Sequence, residues 1–350
     1  MATERTPGPA PAAGAPPSDA DGSPALLDVV PPDADGPSAP VDAPPSGAGG
    51  PSALGRAVRT GQARFGLVLL ALVGLPVVFG PLVAPHAPDA IVGPPLAGPD
   101  GTFPLGTDIL GRDVLSRLLH GGLGLTWMAV LAAGLGVVLG CLVGLTAAYR
   151  GGAVDTLLMR GTDVLLSFPE IIFVLLFVSV LGRGTLLTAV LVGVAFAPGV
   201  SRVMRGAALP VVGSEHVLWA RANGLPATRV LLREVLPGVT SPLLVETGMR
   251  LVWAVSAIAS LNYLGFGVAP PAADWGLMVG ENQDGLSIAP LPVLAPIALI
   301  LMMALGGNLV AESVARAVGR TGKTRPERTR TGKRRVGQER VGTIRAEGEG

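Results

Sequence analysis

Three groups of residues in this sequence have types that could do chemistry, and their spacing decides what they do. Gly322-Lys323-Thr324 matches the ending of a phosphate-binding loop, in which backbone N–H groups cradle phosphate and the lysine reaches it. The first glycine of such a loop would fall on Ala317, no strand-like run precedes it, and a Pro-, Arg- and Gly-containing tail follows where a helix is required. No nucleotide site is expected there. His86, His120 and His216 lie in different loops or flanks, without a His-Glu-x-x-His run or a Ser/His/Asp arrangement, so neither metal nor nucleophilic catalysis is expected. The single cysteine, Cys141, cannot form an intramolecular disulfide and reads as a small packing residue. The third group is polar residues set in apolar surroundings: Glu170, Asn262, and Glu246 with Arg250 at i,i+4 spacing. Glu246 and Arg250 stand just before a charge-free stretch and are expected to form a boundary salt bridge rather than a transport site.

The surroundings of these residues are those of a membrane protein. Of 350 residues, 49% are hydrophobic and only 15% charged, with a mean hydropathy of +0.55, outside the range of ordinary soluble domains. The net charge of +1 conceals an asymmetry: residues 1–52 hold seven acidic residues and one arginine, whereas 320–345 are crowded with Arg and Lys. Residues 1–62 are rich in Pro, Ala and Gly without apolar periodicity, so they are expected to be a disordered tail, and 319–350 a basic one that touches anionic lipid rather than nucleic acid. The start lacks the charged n-region and apolar core of a signal peptide, so no cleavage is expected.

A spanning helix needs roughly 20 apolar residues. Charge-free or nearly charge-free runs place six spans at about 65–85, 122–148, 163–182, 184–203, 247–267 and 288–311, the middle pair forming a hairpin that turns at Arg183. Pro169 is expected to disturb the start of the third span. Lys and Arg favour the cytoplasmic side of short loops. With the N-terminus inside, that side holds Arg56, Arg59, Arg64, Arg150, Arg160, Arg202, Arg205, Arg221, Arg229, Arg233, Arg316 and Arg320, against Arg112, Arg117 and Arg183 outside. Both termini are therefore expected in the cytoplasm, and 202–242 is the largest cytoplasmic loop. Gly136, Gly140 and Gly144 line one face of the second span, which suits close approach either within the chain or by a partner subunit.

Within the long loop, Ser214 precedes a short helix whose first turn carries Glu215; Gly224 can end that helix, Pro226 can start another, and Pro237-Gly238 can close it. Two surface helices wedged between spans have no packing reason to exist unless a partner docks on them. Their sequence resembles the cytoplasmic loop of binding-protein-dependent ABC importer permeases, whose signature reads Glu-Ala-Ala, three residues, Gly, nine residues, Ile, one residue, Leu-Pro. Gly224, Leu236 and Pro237 fit that spacing, while the Glu-Ala-Ala positions fall on Leu218, Trp219 and Ala220 and the Ile position on Glu234. The departure removes the signature's acidic side chain.

Three further stretches resemble the dipeptide and oligopeptide branch of that family. They are Pro104-Leu105-Gly106-Thr107-Asp108 with Leu110 to Arg117; Tyr149-Arg150-Gly151-Gly152 with Asp155, Arg160, Asp163 and Ser167-Phe168-Pro169; and Leu261 to Gly267 with Pro270-Pro271 and Asp274-Trp275-Gly276-Leu277-Met278. The resemblance covers about residues 65–318. It implies an all-α integral membrane protein with a type I importer permease domain over 63–318. It also implies an ATPase-coupling loop carried by Glu215, Leu218, Trp219, Ala220, Arg221, Gly224, Leu236 and Pro237. Asp108, Arg112, Asp113 and Trp275 would lie in external segments facing a binding protein, although Arg112 with Asp113 reads equally as a local ion pair. The implied partners are a second permease, in a heterodimer, two cytoplasmic ATPases that hold the ATP and Mg, and an extracellular solute-binding protein. This chain itself would bind no cofactor. The implied cargo is a peptide-like solute, with nickel or another small solute as the alternative. A secondary transporter or channel, or an intramembrane enzyme, would need ionisable groups or catalytic constellations deep in the spans, and these are scarce.

Overall fold

The computed structural model describes residues 60–319. The expected tails at 1–62 and 319–350, including Gly322-Lys323-Thr324, lie almost wholly outside the described residues. Among the described residues, regular structure is helical, apart from two isolated bridges at Ile91–Arg112 and Thr107–Asp113. The helices are α1 (Gly61–Val83), α2 (Val114–Arg150), α3 (Gly152–Leu166), α4 (Glu170–Leu181) and α5 (Thr185–Val212). After them come α6 (Glu215–Ala222), α7 (Ala227–Val230), a π-helical turn over Leu231–Val235, and α8 (Leu236–Gly238). The chain finishes with α9 (Thr240–Tyr263), α10 (Trp275–Asn282) and α11 (Leu291–Gly319).

Five helices, α1, α2, α5, α9 and α11, are long and apolar enough to cross a bilayer, and α3 with α4 makes a sixth span if the bent pair counts as one. Their outward faces remain apolar, as at Val68, Leu72, Leu75 and Phe79 of α1. Lipid is the medium in which such exposure costs nothing.

Counting the bent pair as one, the six spans read from the sequence are present, but their bounds change: the first, fifth and sixth shift from 65–85, 247–267 and 288–311 to Gly61–Val83, Thr240–Tyr263 and Leu291–Gly319, and the other three change more in character. The third span is not one proline-disturbed helix over 163–182: Pro169 caps α4, and α3 meets α4 at 82°. A proline has no N–H to continue the ladder and pushes the residue before it out of helical geometry, so the chain turns at Ser167–Pro169. The second span is far longer than 122–148, starting at Val114 because Asp113 caps it there, its carboxylate accepting from Leu115 N (3.3 Å) and Ser116 N (3.1 Å). The fourth span runs on past 203 to Val212, since Met204, Ala208 and Val212 keep a buried stripe going at helical spacing. The loop between the fourth and fifth spans is correspondingly shorter than 202–242.

The glycine stripe packs inside the chain. A Cβ on Gly136 would come within 2.9 Å of Gly193 O, one on Gly140 within 2.7 Å of Ala197 O, and one on Gly144 within 2.5 Å of Ser201 O, all on α5. α2 and α5 thus approach through backbone, with Ala132, Ala133, Val192, Phe196 and Val200 filling the seam.

Candidate functional site

At the arginine-rich end, α6, α7, the π turn and α8 form a wedge between α5 and α9. Its base is apolar. Val217, Ala220, Val230 and Val235 are buried against Met204, Ala208 and Val212 of α5 and Leu145 and Ala148 of α2. Arg221 adds a lateral tie, its guanidinium lying 4.8 Å from the centre of the Tyr149 ring.

The corner of the wedge is a complete helix stop. Leu225 N donates to Ala220 O (3.2 Å) and Gly224 N to Arg221 O (3.0 Å), the pair of reversed bonds of a Schellman motif, and Gly224 sits at φ +73°. Leu225 then folds back on the apolar base. Ser214 precedes α6 as expected, but its hydroxyl donates backwards to Val211 O rather than capping the helix.

Of the residues expected in this loop, Glu215, Leu218, Trp219, Arg221, Gly224 and Pro237 are exposed. Trp219 is 67% and Leu218 50% exposed. Ala220 and Leu236 face the base, so they anchor the wedge and do not form its outer surface. Leu232, 61% exposed, joins the outer face without having been singled out in the sequence. It stands in the π turn, whose extra residue shifts the facing of its neighbours, a shift no residue type announces. Large apolar groups presented on a rigid corner are what a partner's pocket takes up.

At the opposite end, the segments around Asp108 and Trp275 do not present those side chains to an external partner. Asp108, Arg112, Asp113 and Trp275 are all buried. The Asp108 carboxylate accepts from Arg112 Nε (2.6 Å), Arg117 (2.7 Å) and the N–H groups of Leu110 and Arg112 (2.9 Å each). Glu281 of α10 accepts from Arg112 (2.9 Å) and Arg117 (2.7 Å), closing a cluster of two cations and two anions. Arg112 is therefore not paired with Asp113, whose carboxylate is taken by the cap of α2, by the Ser116 hydroxyl (2.5 Å) and by His86 (3.4 Å). Trp275 is buried because α2 offers only Gly121 and Gly122 where it lies, and its Nε1 donates to Leu118 O (2.8 Å). Asp274 caps α10, Oδ1 accepting from Gly276 N (2.9 Å) and Leu277 N (3.3 Å). Burial pushes its carboxyl up to about 6, against those two N–H groups and the Asn262 amide, which favour the charged form. Asp274 Oδ2 and Asn262 Nδ2 each lack a hydrogen-bond partner, while Asn262 Oδ1 accepts from Val268 N (3.3 Å).

Glu246 and Arg250 pair as expected (2.7 Å). Among the described residues no group of three or more His, Cys, Asp or Glu side chains is arranged to hold a metal.

Known proteins share sequence with much of this chain. A Brucella suis protein assigned as a peptide transport system permease is 34% identical over 261 residues, 74% of this chain and 88% of that protein. The di/tripeptide transport system permease protein DppC of Pseudomonas aeruginosa is 31% identical over 260 residues, 72% of this chain and 86% of its own length. The glutathione transport system permease protein GsiD of Pectobacterium atrosepticum is 33% identical over 193 residues, 54% of this chain and 64% of that protein. Among solved structures, the MetNI methionine ABC transporter in inward-facing form shares a partial likeness, with 19% identity, a TM-score of 0.47, and coverage of 58% of this chain and 96% of that one. Residues 136–321 match the family described as binding-protein-dependent transport system inner membrane component, and the chain belongs to that family: it is the multi-pass membrane permease of an importer.

Proposed function

We propose that the chain is one of two permease subunits that together enclose a path for a peptide-like solute. A binding protein delivers the solute from outside, and two separate ATPases holding ATP and Mg dock on the wedge inside. The permease fold is of the type I importer kind, and the second subunit is a different chain. This subunit makes and breaks no covalent bond and holds no cofactor of its own. The observation that carries the reading is the wedge: four buried apolar side chains fix it to α2 and α5, while Leu218, Trp219 and Leu232 are left facing outward. A rigid body so anchored transmits a push from an ATPase directly to the spans, and alternating access then requires only that the ATPases bind the two states with different free energies. Peptide cargo is favoured over nickel by the peptide and glutathione permeases among the relatives.

The wedge must face the cytoplasm, with both termini on that side, and this is tested by labelling. In a Cys141→Ser background, cysteines placed at Arg183 and Ala272 should react with an impermeant maleimide added outside. Cysteines placed at Ala222 and Thr228 should react only after the membrane is opened. External labelling at Thr228 would overturn the orientation and, with it, the docking of ATPases.

A further inference from the structure

Glu170 is an acidic residue within a spanning segment that nothing so far employs. It opens α4 at the 82° break between α3 and α4, and it is exposed on the subunit surface. Among the described residues its carboxylate makes no hydrogen bond and no ion pair. The neighbouring cations are engaged elsewhere: Arg202 with Asp163, Arg205 with Asp155, and Arg250 with Glu246. Arg183, at the far end of α4, lies over the Phe266 ring.

Its depth follows from helix geometry. The twelve residues of α4 rise roughly 18 Å, so Glu170 stands well inward of the Gly182–Gly184 turn. Ala195 of α5 lines the same hollows as Glu170, and it lies about 15 Å along α5 from Thr185 and about 10 Å before Arg202. Both measures put the carboxylate inside a hydrocarbon layer roughly 30 Å thick. It is flanked there by two small hollows, one against Phe168 and Phe173, the other against Val192, Phe196 and Leu261.

A carboxylate at that depth on an apolar surface is not left facing lipid; it faces water in a path or a countercharge. A broken helix is where spanning proteins place polar groups at midplane, because the break opens the ladder beside a cavity. We propose that Glu170 lines the solute pathway and receives the cationic group, the ammonium end, of the passing peptide. This rests on the peptide reading above. The residue is a specificity determinant: it favours cations in a low-dielectric passage and releases them because it supplies a single charge without a closed set of acceptors.

The test uses the complete importer, with partner permease, ATPases and binding protein, in proteoliposomes with dialanine as cargo. Glu170→Gln should lower the rate of uptake at saturating loaded binding protein by tenfold or more, leave half-saturation unchanged, and still co-purify with its partners. Glu170→Asp should restore at least a third of the rate, which a merely structural role would not require. In a Cys141→Ser background, a cysteine placed at Glu170 should react with a water-soluble cationic thiol reagent in the assembled importer. Wild-type uptake by Glu170→Gln overturns the inference. So does loss of the partner permease on purification, which would make Glu170 the mate of a cation on that subunit. If the wild-type importer does not move dialanine, the peptide reading fails by itself. The thiol reaction then decides for Glu170: an inert position overturns the pathway assignment, and a reactive one upholds it.

Discussion

The corner at Gly224 offers the most direct test of coupling, because its cost can be worked out from local geometry alone. Gly224 holds φ +73°, and a Cβ added there would meet nothing within 4 Å. A substitution therefore pays no steric penalty against neighbours, and the whole effect is backbone. Asparagine tolerates that region, alanine should lose about 1 kcal/mol, and a β-branched valine on the order of 2 to 3 kcal/mol. The two reversed bonds from Gly224 and Leu225 depend on the conformation, so the strain is relieved by unwinding the corner. Since about 1.4 kcal/mol is a factor of ten, Gly224→Val should lower the equilibrium constant for the correctly set wedge by roughly thirty- to 150-fold, and Gly224→Ala by about fivefold. No span is touched, so membrane insertion should stay normal. Uptake in proteoliposomes and the stimulation of ATPase activity by loaded binding protein should fall in the order Asn, Ala, Val. Trp219→Ala leaves the corner intact and removes the most exposed aromatic of the outer face, so it should weaken ATPase co-purification without altering the wedge itself. Should Gly224→Val and Trp219→Ala both transport at wild-type rates with ATPases bound, the wedge is not the coupling element.

Two predictions concern the opposite end. Asp108→Asn leaves two buried guanidiniums facing the single charge of Glu281, so the purified protein should lose about 3 kcal/mol, read as a fall of about 6 to 12 °C in Tm; an unchanged Tm would mean that the cluster contributes nothing to stability. For Asp274 the native carboxyl binds its proton at about 6, whereas an unfolded one does so near 3.9. The native state then holds more protons across that window, so stability should fall as pH rises from about 4 to 6, by at most about 3 kcal/mol. Asp274→Asn keeps the capping oxygen and should flatten that slope in thermal melts, while an equal slope in both proteins would show that the native carboxyl is ionised throughout.

What was legible in the sequence follows from how far each signal reaches along the chain. Charge-free runs of spanning length are local, so six spans could be counted from residue types. Gly224 and Pro226 are likewise local signals, and the helix stop between α6 and α7 stands where they place it. The facing of side chains at the end away from the wedge was not legible. Arg117 meets a glutamate 164 positions later in the sequence, and nothing near either residue announces the other. Asp108, Arg112, Asp113 and Trp275 consequently read as loop residues free to meet a partner, whereas long-range pairing and two small glycines on α2 draw them inward. Pro169 announced a disturbance but not its size, because where α3 goes after the break depends on distant partners across on α5, where Asp155 meets Arg205 and Asp163 meets Arg202. The glycine stripe specified close approach without specifying whose backbone approaches.

The two ends of the bundle are held by different kinds of force, and the difference bears on how such a subunit moves. At the end away from the wedge, hydrogen-bonded ion pairs join the Asp108 segment, the start of α2 and α10, and such bonds are directional and tolerate little displacement. The wedge instead rests on Val217, Ala220, Val230 and Val235, whose burial energy depends on area and hardly on angle. A push on the wedge is therefore passed to α2 and α5 through close-packed apolar contact without breaking a charge-assisted bond, while the same push at the opposite end would have to break several. On the proposal that ATPases dock on the wedge, the motion they would drive is a rocking of the wedge-side halves of α2, α5 and α9 about the ion-pair cluster at the opposite end. On that mechanism, loosening the cluster should uncouple ATP hydrolysis from transport even where the wedge and its partners remain bound.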